Sequence, residues 1–505
     1  MELTSAFWKH LKSGTDIRGV ALDGVPGQAV ELTDEVVGRI AAAFAVWLTE
    51  KAGKPGEELT ISLGRDSRLS GPRLRDAVIR ALTAAGVTVL DCGLASTPAM
   101  FMTTVDLHTD AAVQLTASHH PFHRNGLKFF LPSGGLEGSD VAAILRLAEE
   151  GRACPPGSGR AEPCGYMRQY AARLRSLIIE GVDAPEREQP LKGFHIVVDA
   201  GNGAGGFYAS EVLAPLGADV EGSQFLEPDG RFPNHIPNPE DADAMDSVRD
   251  ATVRAGADLG VIFDTDVDRA GCVGPDGREI NRNRLIALAA AIVLEKDPGG
   301  TIVTDSVTSS GLKEFIEKDL GGVHCRFKRG YKNVINEAIR LNQAGISAPL
   351  AIETSGHAAL RENYFLDDGA YLITRIIIQA ARMRRQGRQL EDLIAALKEP
   401  AESAEVRFPI LRADFAAYGQ GVLERLEAYA RRMGWPIADD SREGVRLTVG
   451  DGWLLLRLSV HDPVMPMNFE SDHVGGCREI AAQIRPFLDE QDGLDKSQFE
   501  AYQKG

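Results

Sequence analysis

The sequence predicts an α/β protein: three related domains with mixed or parallel sheets, then a smaller α+β domain, around one central cleft. Its 505 residues exceed what a single hydrophobic core supports, so three to four domains are expected. Over the first 400 residues, short apolar runs alternate with amphipathic segments, a pattern typical of wound sheets. Three of these runs end in polar loops that carry Ser, Asp or Glu. We therefore expect domains over residues 1–185, 191–297, 298–400 and 404–490.

Composition narrows the class of protein. The chain is 44% hydrophobic and 25% charged, as in globular proteins, and its net charge is 55 − 72 = −17. This charge disfavours nucleic acid and anionic membrane surfaces as partners. The six cysteines form no CxxC pair and are expected to be reduced thiols. Because no apolar window approaches ~18–20 residues, the sequence predicts a cytoplasmic protein with no membrane segment.

Helix and strand signals alternate along the first domain. Thr33 precedes acidic residues and an apolar stripe, so we expect a capped helix to begin there. The apolar run 59–63 predicts a strand, and residues 72–86, from a proline to a glycine, predict a helix. A second strand is expected over residues 87–90, and a helix over about 167–179 closes the domain.

A serine loop follows the next strand. Residues 111–115 are apolar and predict a buried strand, which must end before Pro121 because proline cannot donate to a ladder. Ser118 is therefore expected at the carboxyl end of a strand, where wound sheets bind ligands. It could be a nucleophile or a phosphoryl carrier. On the Ser-His pair alone, a polar turn is the favoured alternative.

The second domain opens with a glycine-rich turn after a predicted strand over 194–198. Gly201, Gly203 and Gly206 match GxGxxG, and Glu221 follows at about the distance expected of a dinucleotide site. A tight strand-to-helix turn explains the same glycines without a ligand. We favour the turn, because another centre in the chain accounts for the chemistry.

That centre is an acidic loop after a second apolar strand. Asp264, Asp266 and Asp268 alternate, and in extended chain their carboxylates would face one point. Such crowding is unfavourable without a cation, so we expect a hard divalent ion such as Mg²⁺. A calcium EF-hand does not fit, because its sixth position, normally Gly, is Arg269.

The third and fourth domains contribute two further loops. A strand over 301–303 begins the third domain, and the basic stretch 328–332 suits a phosphate dianion, with a solvated loop as an equal alternative. A strand over 350–352 then runs into Glu353. The elements expected later are strands over 404–408, 444–448 and 453–458, helices over about 371–383 and 421–433, and a closing helix to about 488. The polar residues 489–505 are expected to be frayed.

With these loops the chain resembles the α-D-phosphohexomutase superfamily, the phosphoglucomutase and phosphomannomutase enzymes. The resemblance covers nearly the whole chain in the same order. The matching stretches are G-T-D-x-R-G at 14–19, T-A-S-H at 116–119 with Pro121, N-G-x-K at 125–128, D-x-D-x-D-R at 264–269, G-x-K at 330–332 and E-x-S-G-H at 353–357.

The chain also departs from the family pattern. His120 replaces an asparagine in the phosphoserine loop, and Ile352 replaces the glycine before the sugar-loop glutamate. The phosphate loop of the last domain, which resembles R-P-S-G-T-E-P in the family, reads R-L-S-V-H-D-P over residues 457–463. The identity of the hexose phosphate is therefore left open.

The resemblance implies a phosphohexomutase that moves a phosphoryl group between C1 and C6 of glucose or mannose phosphate through a hexose 1,6-bisphosphate. It implies the following roles: catalysis by Ser118, Lys128, Arg18 and His119; Mg²⁺ binding by Ser118, Asp264, Asp266 and Asp268; sugar binding by Glu353, Ser355 and His357; and phosphate binding by Arg457, Ser459, His461, Arg269 and Lys332. The expected partner is a small-molecule sugar phosphate, and the expected state is a monomer or homodimer.

Three alternatives stay open at this point. A hexose-1,6-bisphosphate synthase would take its phosphoryl group from a separate donor, and the altered fourth loop motivates it. A non-catalytic sugar-phosphate-binding homologue would keep the fold without the reaction. A nucleotide-dependent oxidoreductase would use the glycine turn.

Overall fold

The α/β class is confirmed by the computed structural model, which describes residues 3–459 and 462–504. The chain divides into two compact units, Met1–Asn281 with Ser355–Asp392, and Arg282–Thr354 with Leu393–Gly505. The four expected domain boundaries stay a prediction. Within the described ranges, no helix combines the length and apolar character needed to cross a bilayer.

The elements alternate as the sequence pattern indicates. The helices are α1 Ser5–His10, α2 Asp34–Ala52, α3 Gly71–Ala84, α4 Thr97–Asp106, α5 Gly138–Glu149, α6 Tyr166–Val182, α7 Ala242–Ala255, α8 Arg282–Leu294, α9 Ser310–Glu314, α10 Tyr331–Gln343, α11 Gly369–Arg385, α12 Phe415–Met433, α13 Gly476–Asp489 and α14 Ser497–Lys504. The strands are β1 Lys12–Ser13, β2 Asp16–Val20, β3 Thr60–Arg65, β4 Thr88–Leu94, β5 Ala111–Leu115, β6 Arg124–Leu131, β7 Gly134–Gly135, β8 Arg160–Pro163, β9 Ile196–Asp199, β10 Leu259–Phe263, β11 Ala270–Val273, β12 Glu279–Ile280, β13 Thr301–Thr304, β14 Val323–Arg326, β15 Leu350–Ile352, β16 Ala358–Leu360, β17 Leu366–Asp367, β18 Glu402–Pro409, β19 Val445–Val449, β20 Gly452–Leu456 and β21 Val464–Ser471.

The largest sheet belongs to the first unit and has the order β1-β2-β6-β5-β3-β4-β8, with β7 beside β6. Strand β3 pairs parallel with both β4 and β5, whereas β6 pairs antiparallel with β5 and β2. The hydroxyl of Thr33 accepts from Val36 N–H and caps α2, whose Phe44 packs on Phe129 of β6 with 4.5 Å between ring centroids. Because β3 and β5 run in parallel, the loops after Arg65 and Leu115 emerge at the same edge of the sheet.

A second sheet of this unit has the order β12-β11-β10-β9, and β9 and β10 are parallel. The glycine turn follows β9, but only short π and 3-10 segments over 208–216 come after it. Pro215 lacks an N–H and cannot extend a regular α-helix there. A Cβ on Gly206 would lie 2.2 Å from Leu226 O. This glycine is therefore required by contact with the protein's own backbone, which favours the tight turn over a dinucleotide site.

The second unit contains a parallel arrangement of β14, β13 and β15, and an antiparallel sheet of order β18-β21-β20-β19. The antiparallel sheet packs with α12 and α13 around a core that includes Phe408, Phe469 and Phe487. This part of the chain has the expected α+β character.

The prediction of a frayed end is wrong. Residues Ser497–Lys504 form α14, in which Phe499 is only 2% exposed. Tyr502, three residues later on the same helix face, stacks on Phe469 at a centroid distance of 6.1 Å. These two aromatic residues within a polar segment supply the apolar contact that holds the helix.

Candidate active site

Ser118 lies in the loop after β5 and is 3% exposed. Its φ is 51°, in the left-handed region that non-glycine residues rarely adopt. Two hydrogen bonds fix this backbone: Ser118 N–H donates to Thr116 Oγ1 at 2.9 Å, and the Thr116 hydroxyl donates to Asp66 Oδ2 at 2.7 Å. Such conformations persist where the surroundings hold them, commonly at functional sites.

The serine loop is bound by Arg68, which follows β3 and is fully buried. Its Nε donates to Asp66 Oδ2 at 3.1 Å, and its Nη2 donates to the carbonyls of Ser118 and His120. Its Nη1 donates to the carbonyls of Pro121 and Arg124 at 2.8 and 2.9 Å. One guanidinium therefore donates hydrogen bonds to backbone carbonyls from Ser118 to Arg124. The sequence reasoning missed this residue, although an Arg-Asp-Ser-Arg run at the end of a strand was a visible signal.

The Ser118 hydroxyl reaches the acidic loop after β10. Its Oγ donates to Asp264 Oδ2 at 3.0 Å, and Arg269 Nη2 donates to Oγ at 2.9 Å. Arg269 also donates to Asp264 Oδ2 from Nε, at 3.2 Å, and its Nη1 donates to Asn238 Oδ1 at 3.1 Å. The serine is therefore bracketed by a carboxylate and a guanidinium.

The three aspartates converge as expected, but the expected cause is wrong. Their carboxylate oxygens lie within 4.8 Å of one another and all three residues are buried. Residues 264–268 are not extended; they form a turn in which Val267 N–H donates to Asp264 O at 3.3 Å. Val267 has a φ of 66°, an outlier for a β-branched residue. The turn, and not alternation along a strand, aims the carboxylates at one point.

The charges at this turn fit a divalent cation. Lys128 Nζ lies 3.1 Å from Asp266 Oδ2 and 2.5 Å from Asp268 Oδ2, while Oδ1 of each aspartate is buried without a hydrogen bond. Burial and the two neighbouring carboxylates raise the pKa of Asp264 well above its usual value. Burial opposes ionisation of Asp268 too, but Lys128, His357 and Arg269 outweigh it and lower that pKa. Crowded, under-satisfied oxygen donors are the ligand set that Mg²⁺ prefers.

His119 and His357 flank this cluster. His119 Nδ1 lies 2.6 Å from Arg269 Nη2 and 3.4 Å from Ser118 Oγ, so it accepts from the guanidinium. Burial and the Arg269 charge lower the His119 pKa to about 2, which keeps the ring neutral at pH 7. His357 Nε2 lies 3.8 Å from Asp268 Oδ1, and its Nδ1 faces Ser355 Oγ at 2.9 Å. Burial lowers the His357 pKa to about 3.

Lys128 lies on β6, which pairs with β5, and Arg18 lies on β2, which pairs with β6. Arg18 pairs with Gly126 in the register of β2 with β6, and its Nη2 donates to Asp16 Oδ2 at 2.9 Å. A Cβ on Gly126 would lie 2.3 Å from Ile17 O, so only glycine allows this approach of the strands.

The other expected site residues belong to the second unit. Glu353 Oε1 accepts from Gly330 N–H at 2.6 Å, at the start of α10, whose first turn carries Lys332. Arg457 is 8% exposed and its Nε has no hydrogen bond. Ser459 Oγ accepts from Asp462 N–H at 3.2 Å. His461 lies outside the described residues.

Two further residues that the sequence reasoning missed support the acidic turn. Thr97, at the start of α4, donates from its hydroxyl to Asp266 Oδ2 and from its N–H to Asp266 O. Asn238 holds Arg269, as described above. Their positions, 169 and 31 residues from their partners, leave no local pattern in the sequence.

Comparison with known proteins matches three successive stretches of the chain to models of one family. Residues 13–153, 169–277 and 281–400 match the models of α/β/α domains I, II and III of phosphoglucomutase/phosphomannomutase. A phosphomannomutase/phosphoglucomutase of Pseudomonas putida is 31% identical over 460 residues, which are 90% of this chain and 93% of that protein. The chain belongs to the phosphoglucomutase/phosphomannomutase family.

Other members of this α-D-phosphohexomutase superfamily agree in sequence and in structure. A phosphoglucomutase of Neisseria gonorrhoeae is 29% identical over 477 residues, with 94% of this chain and 95% of that protein covered. The crystal structure of a family protein from Burkholderia thailandensis superposes with a TM-score of 0.78 at 28% identity, with 96% and 98% of the chains covered. The resemblance derived from the loop motifs is thereby confirmed, and the chain is a phosphohexomutase.

Proposed function

We propose that this phosphohexomutase carries a phosphoryl group on Ser118 and exchanges it between C1 and C6 of glucose or mannose phosphate. The observation that carries this proposal is the position of Ser118 Oγ, 3.0 Å from Asp264 Oδ2 and 2.9 Å from Arg269 Nη2. A serine that only shaped a turn would need neither the carboxylate cluster nor the buried guanidinium.

The residues present fit Mg²⁺. Asp264, Asp266 and Asp268 would hold the ion together with an oxygen of the Ser118 phosphate. When bound, Mg²⁺ offsets the negative charge on the transferring phosphoryl group. The two aspartate oxygens that lack hydrogen bonds are the specific support for this assignment.

The protein's own cations neutralise and orient the serine phosphate. Arg269 already donates to Ser118 Oγ, and its fork can donate in parallel to a phosphate. In transfer, the bond between Ser118 Oγ and phosphorus breaks, a bond from the sugar hydroxyl to phosphorus forms, and the hydroxyl proton leaves. Lys128, Arg18 and His119 remain the candidates for handling this proton. Because His119 Nδ1 accepts from Arg269, its remaining ring nitrogen, Nε2, carries the single proton.

The remaining assignments complete the substrate contacts. Glu353, Ser355 and His357 bind sugar hydroxyls, and Arg457, Ser459, His461 and Lys332 bind the phosphate that is not transferring. After the first transfer the product is a hexose 1,6-bisphosphate, which turns over and returns its other phosphate to Ser118. All six cysteines are free thiols, in keeping with a cytoplasmic enzyme.

The test combines Ser118→Ala with the exposed control Ser133→Ala. We expect Ser118→Ala to lower mutase turnover by orders of magnitude and to abolish incorporation of phosphate from labelled glucose 1,6-bisphosphate. Ser133→Ala should match the wild type. Full turnover in Ser118→Ala would refute the proposal that Ser118 carries the phosphoryl group.

The metal is tested separately. A chelator should stop turnover and Mg²⁺ should restore it. Added Mg²⁺ should also raise the thermal unfolding midpoint of the wild type, but not that of Asp266→Asn. Phosphorus NMR of the products then distinguishes isomer interconversion from accumulation of the bisphosphate, the outcome expected of a synthase.

A further inference from the structure

The loop before β19 places one carboxylate among the donors of the second unit. Glu443 Oε2 accepts from the Ser306 hydroxyl at 2.5 Å and from the Arg329 backbone N–H at 3.1 Å. Ser306 follows β13 and is 3% exposed, and Arg329 immediately precedes the glycine whose N–H binds Glu353. Arg329 therefore belongs to the basic stretch 328–332 that the sequence suggested for a phosphate dianion, and Ser306 belongs to the loop after β13.

Arg457 lies beside the same carboxylate. Gly444, the next residue after Glu443, is packed so closely on Arg457 that a Cβ there would lie 2.8 Å from its Cα. Glu443 is the strongest of the charges that favour ionisation of this guanidinium, while burial lowers its pKa. The Arg457 side chain is more than nine-tenths buried, and its Nε has no hydrogen-bond partner. A hydroxyl and a backbone N–H thus bind one acidic side chain, and a buried guanidinium lies near it.

The same three kinds of donor hold phosphate oxygens in proteins. We propose that the Glu443 carboxylate is an internal competitor for the substrate's non-transferring phosphate, which must displace it from Ser306 and Arg329 N–H, near Arg457. This inference rests on the proposed function and adds a specificity-determining residue to it.

The chemistry of the two anions gives the exchange a direction. A phosphate dianion carries twice the charge of a carboxylate and has three acceptor oxygens, so it outcompetes Glu443 for the two donors and is attracted more strongly by the nearby guanidinium. When the bisphosphate leaves to turn over, Glu443 returns and keeps the buried donors paired. Donors of this kind are destabilising when they are buried without a partner. Glu443 thereby weakens binding of the monophosphate and eases release of the bisphosphate.

The test is Glu443→Gln, which removes the charge and keeps an amide oxygen that can accept the two hydrogen bonds. The matched control is Glu427→Gln; Glu427 is a partly exposed glutamate on α12 that pairs with Arg431 in the same helix. Binding of inorganic phosphate is measured by titration calorimetry, and KM and kcat are measured with glucose 6-phosphate and mannose 6-phosphate.

We expect Glu443→Gln to tighten inorganic phosphate binding and to lower KM by about fivefold each, as removal of ~1 kcal/mol of competition requires. We also expect kcat to fall, and Glu427→Gln to leave all three values unchanged. Unchanged or weaker phosphate binding in Glu443→Gln would overturn the inference. Glu443 would then only stabilise the contact between its loop and those of Ser306 and Arg329. The calorimetric measurement does not depend on turnover, so it decides the role of Glu443 even where an inactive wild type refutes the proposed function.

Discussion

Replacement of Arg68 by lysine tests how the serine loop is held. Arg68 donates to five acceptors: Asp66 Oδ2 and the carbonyls of Ser118, His120, Pro121 and Arg124. Lysine has three donors on one nitrogen, so at least 5 − 3 = 2 of these buried or partly buried acceptors lose their partner.

Hydrogen bonds from a charged donor contribute about 1.5–3 kcal/mol each. Arg68→Lys should therefore lower the free energy of unfolding by about 3–6 kcal/mol, measured by urea denaturation. The same bonds hold Ser118 at its positive φ, and a displacement of about 1 Å at a reacting group costs on the order of 10²-fold in rate. We expect turnover to fall by about that factor at temperatures where the variant is still folded.

Arg73→Lys is the matched control. Arg73 also donates to two backbone carbonyls, those of Ala21 and Leu32, but its side chain is 36% exposed and its Asp34 partner is at the surface. We expect Arg73→Lys to lower the free energy of unfolding by less than about 1 kcal/mol and to leave turnover unchanged. Equal losses of stability and turnover in Arg68→Lys and Arg73→Lys would refute the reasoning.

Two further predictions concern the first unit. Burial raises the pKa of Asp368 from 3.8 to about 6, so the folded protein holds this proton more tightly than the unfolded chain, and stability falls as pH rises from about 4 to 6. Asp368→Asn should remove up to about 3 kcal/mol of this pH-dependent loss of stability. The urea midpoints of variant and wild type are compared at pH 4.5 and pH 7, and an equal difference at both pH values would contradict the prediction. Gly126→Ala should destabilise by about 1–3 kcal/mol, because its Cβ would lie 2.3 Å from Ile17 O and 2.7 Å from Thr116 O. Gly135→Ala, whose Cβ would meet Phe130 at an ordinary 3.6 Å, should be nearly neutral when the thermal melts of both glycine variants are compared with that of the wild type.

The local sequence pattern was sufficient to predict many of the helices and strands. The strand expected over 111–115 is observed as Ala111–Leu115, and the helix expected after Thr33 is Asp34–Ala52. Apolar periodicity and capping act between neighbours in the chain, so the sequence carries them directly. Residues 497–504 were misjudged because the helix depends on Phe499 and Tyr502, which find their partners in the core of another element.

The candidate site likewise has features that the sequence predicts and features that depend on tertiary contacts. The sequence by itself predicted which side chains would carry the proposed chemistry, since Ser118 and the three aspartates follow apolar strands in an order that resembles the family's motifs. Only the tertiary structure decided how they meet. The turn at Val267 aims the carboxylates, and Arg68 holds the serine loop from 50 residues away. Asp264 reaches Ser118 across 146 residues. Contacts at such separations depend on strand order and on buried charge, and neither leaves a periodic signal in the chain.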